Sequence, residues 1–301
     1  MRINPFDQPG RFWRGNLHTH STESDGLLAP EQVCRVYADN GYDFLALTDH
    51  FLESYGFPVT DTRPYRDAGF TTLLGAELHA GKTELGNLWH ILAVGLPLDF
   101  APPTPDEDGP RIAARALGDG AYVAVAHPAW YGLTENDVVS LGPVDAIETF
   151  NGVSVDYNDR ADSWYMLDLM AMRGRRYLAC ATDDAHFQPK RWDALRGWVW
   201  VKSEQLTPEA ILAALKAGAY YSSCGPEIHD IQIERGRRVV VRCSPADRIY
   251  ITGGHYHAAS AFGPALYEAE LDIREWGSPY LRVTVRDAMG RRAWSNPIWL
   301  V

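Results

Sequence analysis

Between residues 14 and 222 the chain repeats one pattern: a short apolar run, a polar tip, then an amphipathic stretch or a loop. The runs that read as strands are Phe44-Leu-Ala-Leu-Thr-Asp49-His50, Thr72-Leu-Leu-Gly-Ala-Glu77-Leu-His79, Trp89-His90-Ile-Leu-Ala-Val-Gly95, Tyr122-Val-Ala-Val-Ala-His127-Pro128, Ala146-Ile-Glu-Thr-Phe-Asn151, Tyr177-Leu-Ala-Cys-Ala-Thr-Asp183-Asp184 and Trp198-Val-Trp-Val201. Residues 30–40 place Val33, Val36 and Tyr37 at helical spacing, and Asn40-Gly41 stops the pattern. Residues 111–117, 164–172 and 207–217 also read as helical, whereas 51–69 reads as a long irregular loop and the proline-rich, acidic 97–110 as an exposed excursion. Strands alternating with helices predict a parallel sheet, and about seven such units predict a closed or distorted barrel. In such barrels the chemistry sits at the C-terminal ends of the strands.

After Ser222-Ser-Cys-Gly-Pro226 the pattern changes. Short β-type runs follow at 228–233, 238–241, 248–251, 267–273, 281–285 and 298–301, punctuated by turn residues and without helical spacing. The prediction is an α/β protein of two parts: a barrel over 1–224 and a small antiparallel, sandwich-like β-domain over 225–301.

Composition narrows this picture. At 301 residues, 46% of them hydrophobic, the chain is long enough for a sizeable core. The four cysteines are far apart and form no Cys-x-x-Cys pair, as expected of a reduced, cytoplasmic protein. No run approaches the roughly 20 apolar residues of a membrane span, and the first ten residues lack the apolar stretch of a signal peptide. No membrane partner is therefore expected, and composition leaves the oligomeric state open.

The net charge of −11 is unevenly placed. Residues 226–301 hold 9 Asp+Glu against 10 Lys+Arg, so the remainder holds 30 against 18. Part of that excess is expected to serve as cation ligands, and a large basic surface for duplex nucleic acid is absent.

The polar tips carry the candidate chemistry. His18-Thr-His20 opens the series; on a strand, alternate residues point the same way. Asp25 follows beside Gly26, which lets the chain turn sharply. His18, His20, Asp25, His50, Glu77, His127, Asp184 and His186 all stand at or just beyond the end of an apolar run. His90 stands at the start of one, which an antiparallel hairpin between the Glu77 and His90 strands would reconcile. Crowding so many imidazoles and carboxylates is costly unless cations neutralise and orient them. Neutral His with ionised Asp and Glu suits Zn²⁺, Mn²⁺ or Fe²⁺, and the lack of cysteine ligands argues against a structural zinc site.

The ordered set His18-Thr-His20, Asp25-Gly26, Thr48-Asp49-His50, Gly75-Ala-Glu77, His90, Ala126-His127-Pro128 and Asp184-Ala-His186 resembles the motif series of the PHP (polymerase and histidinol phosphatase) superfamily. The resemblance implies a distorted (β/α)7 barrel with about two to three divalent ions. It places His18, His20, Glu77 and Asp184 on the first ion and Asp25, His50 and His186 on the second, with Glu77 bridging to a third bound by His90 and His127. The appended strands, closing on Trp294-Ser-Asn-Pro-Ile-Trp-Leu, resemble the subset related to carbaryl-hydrolase-type metallohydrolases. There is no polymerase domain, which argues against a proofreading role in a replicase.

Physical reasoning points the same way. Clustered divalent cations lower the pKa of a shared water towards neutrality, and the expected reaction is hydrolysis by a metal-bridging hydroxide. No Gly-x-Ser-x-Gly elbow or P-loop offers a rival. Asp184, His186 and His127 are the candidates for orienting the nucleophile or moving a proton. A small phosphate monoester or diester is the leading substrate class; a carboxylic ester, carbamate, amide or lactone cleaved by the same cluster is the alternative.

Arg63, Arg66, Arg160, Lys190 and Arg191 follow strand tips and are candidates for gripping phosphate, with Asn151 as a further substrate contact. Trp130, Tyr131, Tyr157 and Trp192 are candidates for an aromatic wall. His79, Asp49 and Asp183 flank ligand positions and are candidates for supporting imidazoles.

Overall fold

The computed structural model describes residues 4–300. Its first ten strands are β1 (Arg11–Asn16), β2 (Phe44–Leu47), β3 (His50–Phe51), β4 (Thr71–Leu78), β5 (Ile91–Val94), β6 (Tyr122–Val125), β7 (Ala146–Asn151), β8 (Leu178–Thr182), β9 (Trp198–Ser203) and β10 (Tyr220–Ser223). Among them run helices α1 (Pro30–Asp39), α2 (Gly109–Gly118), α3 (Pro128–Tyr131), α4 (Glu135–Ser140), α5 (Ser154–Tyr157), α6 (Trp164–Met172) and α7 (Pro208–Ala217). The helices begin where local chemistry favours it. Asp108 accepts from the Arg111 amide and Thr207 from the Ala210 amide, each just ahead of a proline in the first turn.

The sheet is mixed rather than parallel. Ladders β1–β2, β2–β4, β3–β4, β6–β7 and β7–β8 are parallel, whereas β4–β5, β5–β6, β1–β9 and β9–β10 are antiparallel. The β4–β5 hairpin is the one that the position of His90 required, with Glu77 opposite Leu92 and Leu78 opposite Ile91.

Nor, among the described residues, does the sheet close into a ring of backbone hydrogen bonds, as a barrel would. Where closure would fall, side chains take the places a neighbouring strand would fill. The Ala181 amide donates to Ser222 Oγ, which donates to the Ala179 carbonyl, and the Ala179 amide donates to Asn296 Oδ1. These bonds satisfy part of the inner edge of β8 without a ladder.

The last six strands are β11 (Ile228–Glu234), β12 (Arg238–Thr252), β13 (Ala258–Asp272), β14 (Tyr280–Arg286), β15 (Arg292–Ser295) and β16 (Ile298–Trp299), all paired antiparallel. They do not form a sheet of their own, as the sandwich expectation required. Tyr221–Ser223 of β10 pair with Ala293–Ser295 of β15, so all sixteen strands belong to one sheet.

The runs expected at 238–241 and 248–251 are two halves of one strand, β12, interrupted by register shifts between Arg242 and Arg248. Most of β13 and all of β15 were not anticipated, and Val301, at the end of the last expected run, lies outside the described residues. Among those residues no helix is long and apolar enough to cross a membrane.

Candidate metal centre

The site gathers at the ends of β1, β2, β4, β6 and β8. His18 and His20 follow β1, and Thr19 between them bridges Ala185 in parallel. His50 in β3 stands in register with Glu77 in β4, and His90 immediately precedes β5. The turn carrying Asp25 is held by Asp49, whose carboxylate accepts from the Ser21 amide (2.7 Å), the Ser21 and Ser24 hydroxyls (both 2.8 Å) and Thr60 (2.9 Å). Gly26 is needed there: a Cβ at its position would lie 2.6 Å from the His20 carbonyl. His127 (φ 26°) and Asp184 (φ 55°) adopt left-handed backbone conformations that cost roughly 1–3 kcal/mol each. The surrounding bonds hold them there, the His127 amide donating to Glu148 (2.6 Å) and the Asp184 amide to the His18 carbonyl (2.9 Å).

Seven imidazoles and three carboxylates converge. Their donor atoms fall into groups lying within 4.8 Å of one another: His20, Asp25, His50 and His186; His50, Glu77, His79 and His90; His18, His127 and Asp184; and His18, His20 and Glu77. Every ligand position expected from the sequence is in this assembly. His186 Nε2 is 3.3 Å and His50 Nε2 3.5 Å from Asp25 Oδ1, and His18 Nε2 is 3.3 Å from Asp184 Oδ1. His90 Nδ1 and His127 Nε2 lie 2.7 and 3.1 Å from Glu77 Oε1.

Protein contacts alone leave this assembly unsatisfied. His18 Nε2, His127 Nδ1 and Glu77 Oε2 are buried without a hydrogen bond, and an uncompensated buried carboxylate oxygen is costly. Glu77 Oε2 does lie 2.7 Å from His50 Nδ1, but the pair is not aligned as a hydrogen bond. Buried imidazole nitrogens and a carboxylate oxygen without partners belong to a donor set that Zn²⁺, Mn²⁺ or Fe²⁺ would fit.

The electrostatics agree. Burial pushes Glu77 up, but the imidazoles of His90, His50 and His18 outweigh it and hold the carboxyl well below its usual range. Asp184, opposed by burial in the same way, is held down by His18, His20 and His186. Against burial, Glu77 and Asp25 push His50 up to about 10, and Asp25 and Asp184 push His186 up to about 9. His20 is pushed down to about 4 by burial and by the neighbouring His186 and His50. Without an ion, the cage balances its carboxylates with protons.

A cleft of about 260 Å³ opens onto the cage, lined in part by Trp130, Tyr131, Tyr157, Gln188 and Arg191. Trp130 stacks on Tyr157 (5.0 Å between centroids) and Tyr131 on His90 (4.5 Å). Of the expected substrate contacts, Arg191 alone lines the cleft, its guanidinium 4.3 Å over the Tyr157 ring. Arg63 is paired with Asp61 through two 2.8 Å bonds, Arg66 binds Thr72, Arg160 binds the Trp130 carbonyl, and Lys190 is exposed outside the lining. Asn151 is buried below the cleft and already committed, donating to Glu148 and Asp184 (both 3.1 Å) and accepting from Ser154. Trp192 packs against Phe187 away from the lining.

Two expected supports act elsewhere. Asp49 pins the Ser21–Ser24 turn, and Asp183 accepts from Tyr37 (2.6 Å) and the amides of Leu195, Arg196 and Gly197, with no imidazole on either carboxylate.

The support that sequence reasoning missed is Glu148. Fully buried, it accepts from His18 Nδ1 (2.9 Å), Thr182 Oγ1, the His127 amide and Asn151. Because the carboxylate can only accept, His18 carries a proton on Nδ1 and turns Nε2 into the cage as the nitrogen that an ion would meet. An acidic residue inside the buried Ala-Ile-Glu-Thr run was the available signal.

No protein-family model matches the sequence, and no curated protein matches it. Among solved structures, the chain resembles a two-domain protein from Bacteroides vulgatus containing a predicted PHP-like metal-dependent phosphoesterase. The TM-score is 0.53 at 14% identity, over 95% of this chain and 94% of that one. At that identity the likeness establishes a shared fold. An amidohydrolase from Chromobacterium violaceum matches over 60% of this chain and 89% of its own at 16% identity, with a TM-score of 0.43.

Proposed function

We propose that this chain is a metal-dependent hydrolase of the PHP superfamily acting on a small phosphate monoester or diester. The observation carrying the proposal is the convergence of seven imidazoles and three carboxylates, several with orphaned donor atoms, at the floor of a cleft whose rim bears Arg191. The fold shared with a protein described as containing a PHP-like phosphoesterase supports it.

The residues that would hold the ions are His18, His20, Asp25, His50, Glu77, His90, His127, Asp184 and His186. Bound divalent ions would lower the pKa of water and neutralise charge building on the phosphoryl oxygens. The chain's own residues do the rest. Glu148 orients His18 and Asn151 orients Asp184. Asp184, in the cleft wall, takes the proton of the attacking water and returns it to the leaving group. Arg191 grips a non-reacting oxygen, and Trp130, Tyr131 and Tyr157 shield the leaving group from water. Catalysis is assigned to residues 1–224: among the described residues lining this cleft, none lies beyond Asp193.

The test is ion-stripped protein reloaded with Mn²⁺, Zn²⁺ or Fe²⁺. It is assayed on phosphate monoesters and diesters beside carboxylic esters, carbamates, amides and lactones. Ion-dependent phosphate-ester hydrolysis is expected. Arg191→Met should lower kcat/KM on phosphate esters about ten- to a hundredfold, the scale of one charge-assisted hydrogen bond. A loaded protein that turns over no phosphate ester refutes the proposal, and turnover confined to carboxyl derivatives moves the assignment to that class.

A further inference from the structure

We propose that His79 is itself a metal ligand, completing a third cation position with Glu77 and His90. This rests on the reading of the site as a metal cage and goes beyond the ligand set that the sequence motifs imply, in which His127 filled that place.

The inference starts from protons. His79 Nδ1 lies 2.7 Å from the Trp89 carbonyl, which can only accept, so Nδ1 carries the hydrogen and Nε2 is a bare lone pair. That lone pair points inward, 2.8 Å from His50 Nδ1 and 3.8 Å from Glu77 Oε2, on a side chain with no solvent exposure. Two other imidazoles of the cage are prepared in the same way. His18 Nδ1 is tied to Glu148 (2.9 Å) and His186 Nδ1 to the Asp184 carbonyl (2.8 Å), and both turn Nε2 inward. Each of the four donor groups thus contains an imidazole with an acceptor behind its Nδ1: His186, His18 (in two groups) and, in the group of His50, Glu77 and His90, His79.

The alternative is that His79 only steadies His50 by accepting its Nδ1 proton. That arrangement satisfies the two rings but leaves Glu77 Oε2 buried and without a hydrogen bond, its charge met only by the nearby, unaligned His50 Nδ1 (2.7 Å). A cation held by Glu77, His79 Nε2 and His90 removes that cost and frees His50 to turn Nε2 to Asp25 and His186. His127 Nε2 touches the other Glu77 oxygen, Oε1 (3.1 Å), and also groups with His18 and Asp184, whereas Glu77, His79 and His90 already supply three donors on their own.

The nitrogen-rich donor set, with one carboxylate, suits Zn²⁺ or Fe²⁺ better than Mg²⁺.

The experiment counts ions. Full-length wild type, His79→Leu, His79→Asp and His127→Leu are stripped, reloaded with Zn²⁺ and desalted, and zinc per chain is measured by elemental analysis, with circular dichroism checking the fold. Three equivalents are expected in the wild type, one fewer in His79→Leu, and three again in His79→Asp, which restores a ligand atom. A His79→Leu protein that keeps every equivalent, even with weaker affinity, overturns the proposal and leaves His79 as a positioning residue. Loss of the third equivalent in His127→Leu but not in His79→Leu overturns it in favour of His127. If His79→Leu does not fold, the wild type loaded with ¹¹³Cd and labelled with ¹⁵N-histidine decides: absence of ¹¹³Cd coupling at His79 Nε2 refutes ligation. Two equivalents in the wild type sink this proposal alone, whereas none sinks the metal-cage reading with it.

Discussion

Glu148→Gln is the sharpest test of how the cage is prepared. One carboxylate oxygen of Glu148 receives His18 Nδ1 (2.9 Å) and Thr182 Oγ1; the other receives the His127 amide (2.6 Å) and Asn151 Nδ2 (3.1 Å). A carboxamide has the same shape but only one acceptor oxygen. If that oxygen faces His18, the new NH₂ confronts the donors of His127 and Asn151. If it faces them, the NH₂ donates to His18 Nδ1, and the imidazole must move its hydrogen to Nε2, where it points at the ion. Either orientation loses about 1–3 kcal/mol, matching the ten- to hundredfold weakening typical when a ligand's hydrogen-bond partner is removed. Titration calorimetry of stripped protein with Zn²⁺ or Mn²⁺ measures the affinity, and ¹⁵N shifts of His18 report the tautomer. An affinity equal to wild type, with Nε2 still bare, would refute the claim that Glu148 selects the ligating nitrogen.

Two further outcomes follow from the same geometry. In the ion-free cage His50 and His186, raised to about 10 and about 9, hold protons throughout neutral pH. An entering ion must expel them, so affinity should rise with pH by up to about a hundredfold per unit below about pH 9 if both leave, then by about tenfold per unit, and flatten beyond about pH 10. Calorimetry in buffers of different ionisation enthalpy counts the protons, and a pH-independent affinity would contradict the reading. Trp294→Ala should cost about 3–5 kcal/mol of unfolding free energy, because this buried ring packs between Phe150 (5.8 Å) and Trp164 (5.7 Å). An unfolding free energy from urea titration within about 1 kcal/mol of wild type would show that the ring contributes little.

How much of this was legible in the sequence differs by element. The chelating tips could be read because each apolar run ends where its side chains leave the core, and His90 at a strand start demanded the hairpin that β4 and β5 form. Glu148 was harder to read, since its role depends on three partners distant in sequence or on the backbone. The substrate candidates were chosen by position after strand tips, which says nothing of local partners; Asp61 captures Arg63 and Ser154 engages Asn151. The closed ring was expected from repeat counting, but it depends on what meets β8, and Ser222 and Asn296 are far from β8 in sequence. The two halves of β12 looked like separate strands because the Cys243–Asp247 stretch reads as a loop, with Pro245 and Asp247 in it.

The ladder between β10 and β15 has a mechanical consequence. Trp294, near the end of the chain, is embedded in the core beside the cage, while Phe12 and Tyr221 pack into the core of the last six strands. The halves are interleaved like clasped fingers, so neither can melt without tearing the other's packing. Truncation at residue 224 would strip β10 of a neighbour and leave a void beside Phe150 and Trp164, inviting aggregation in place of an autonomous catalytic fragment.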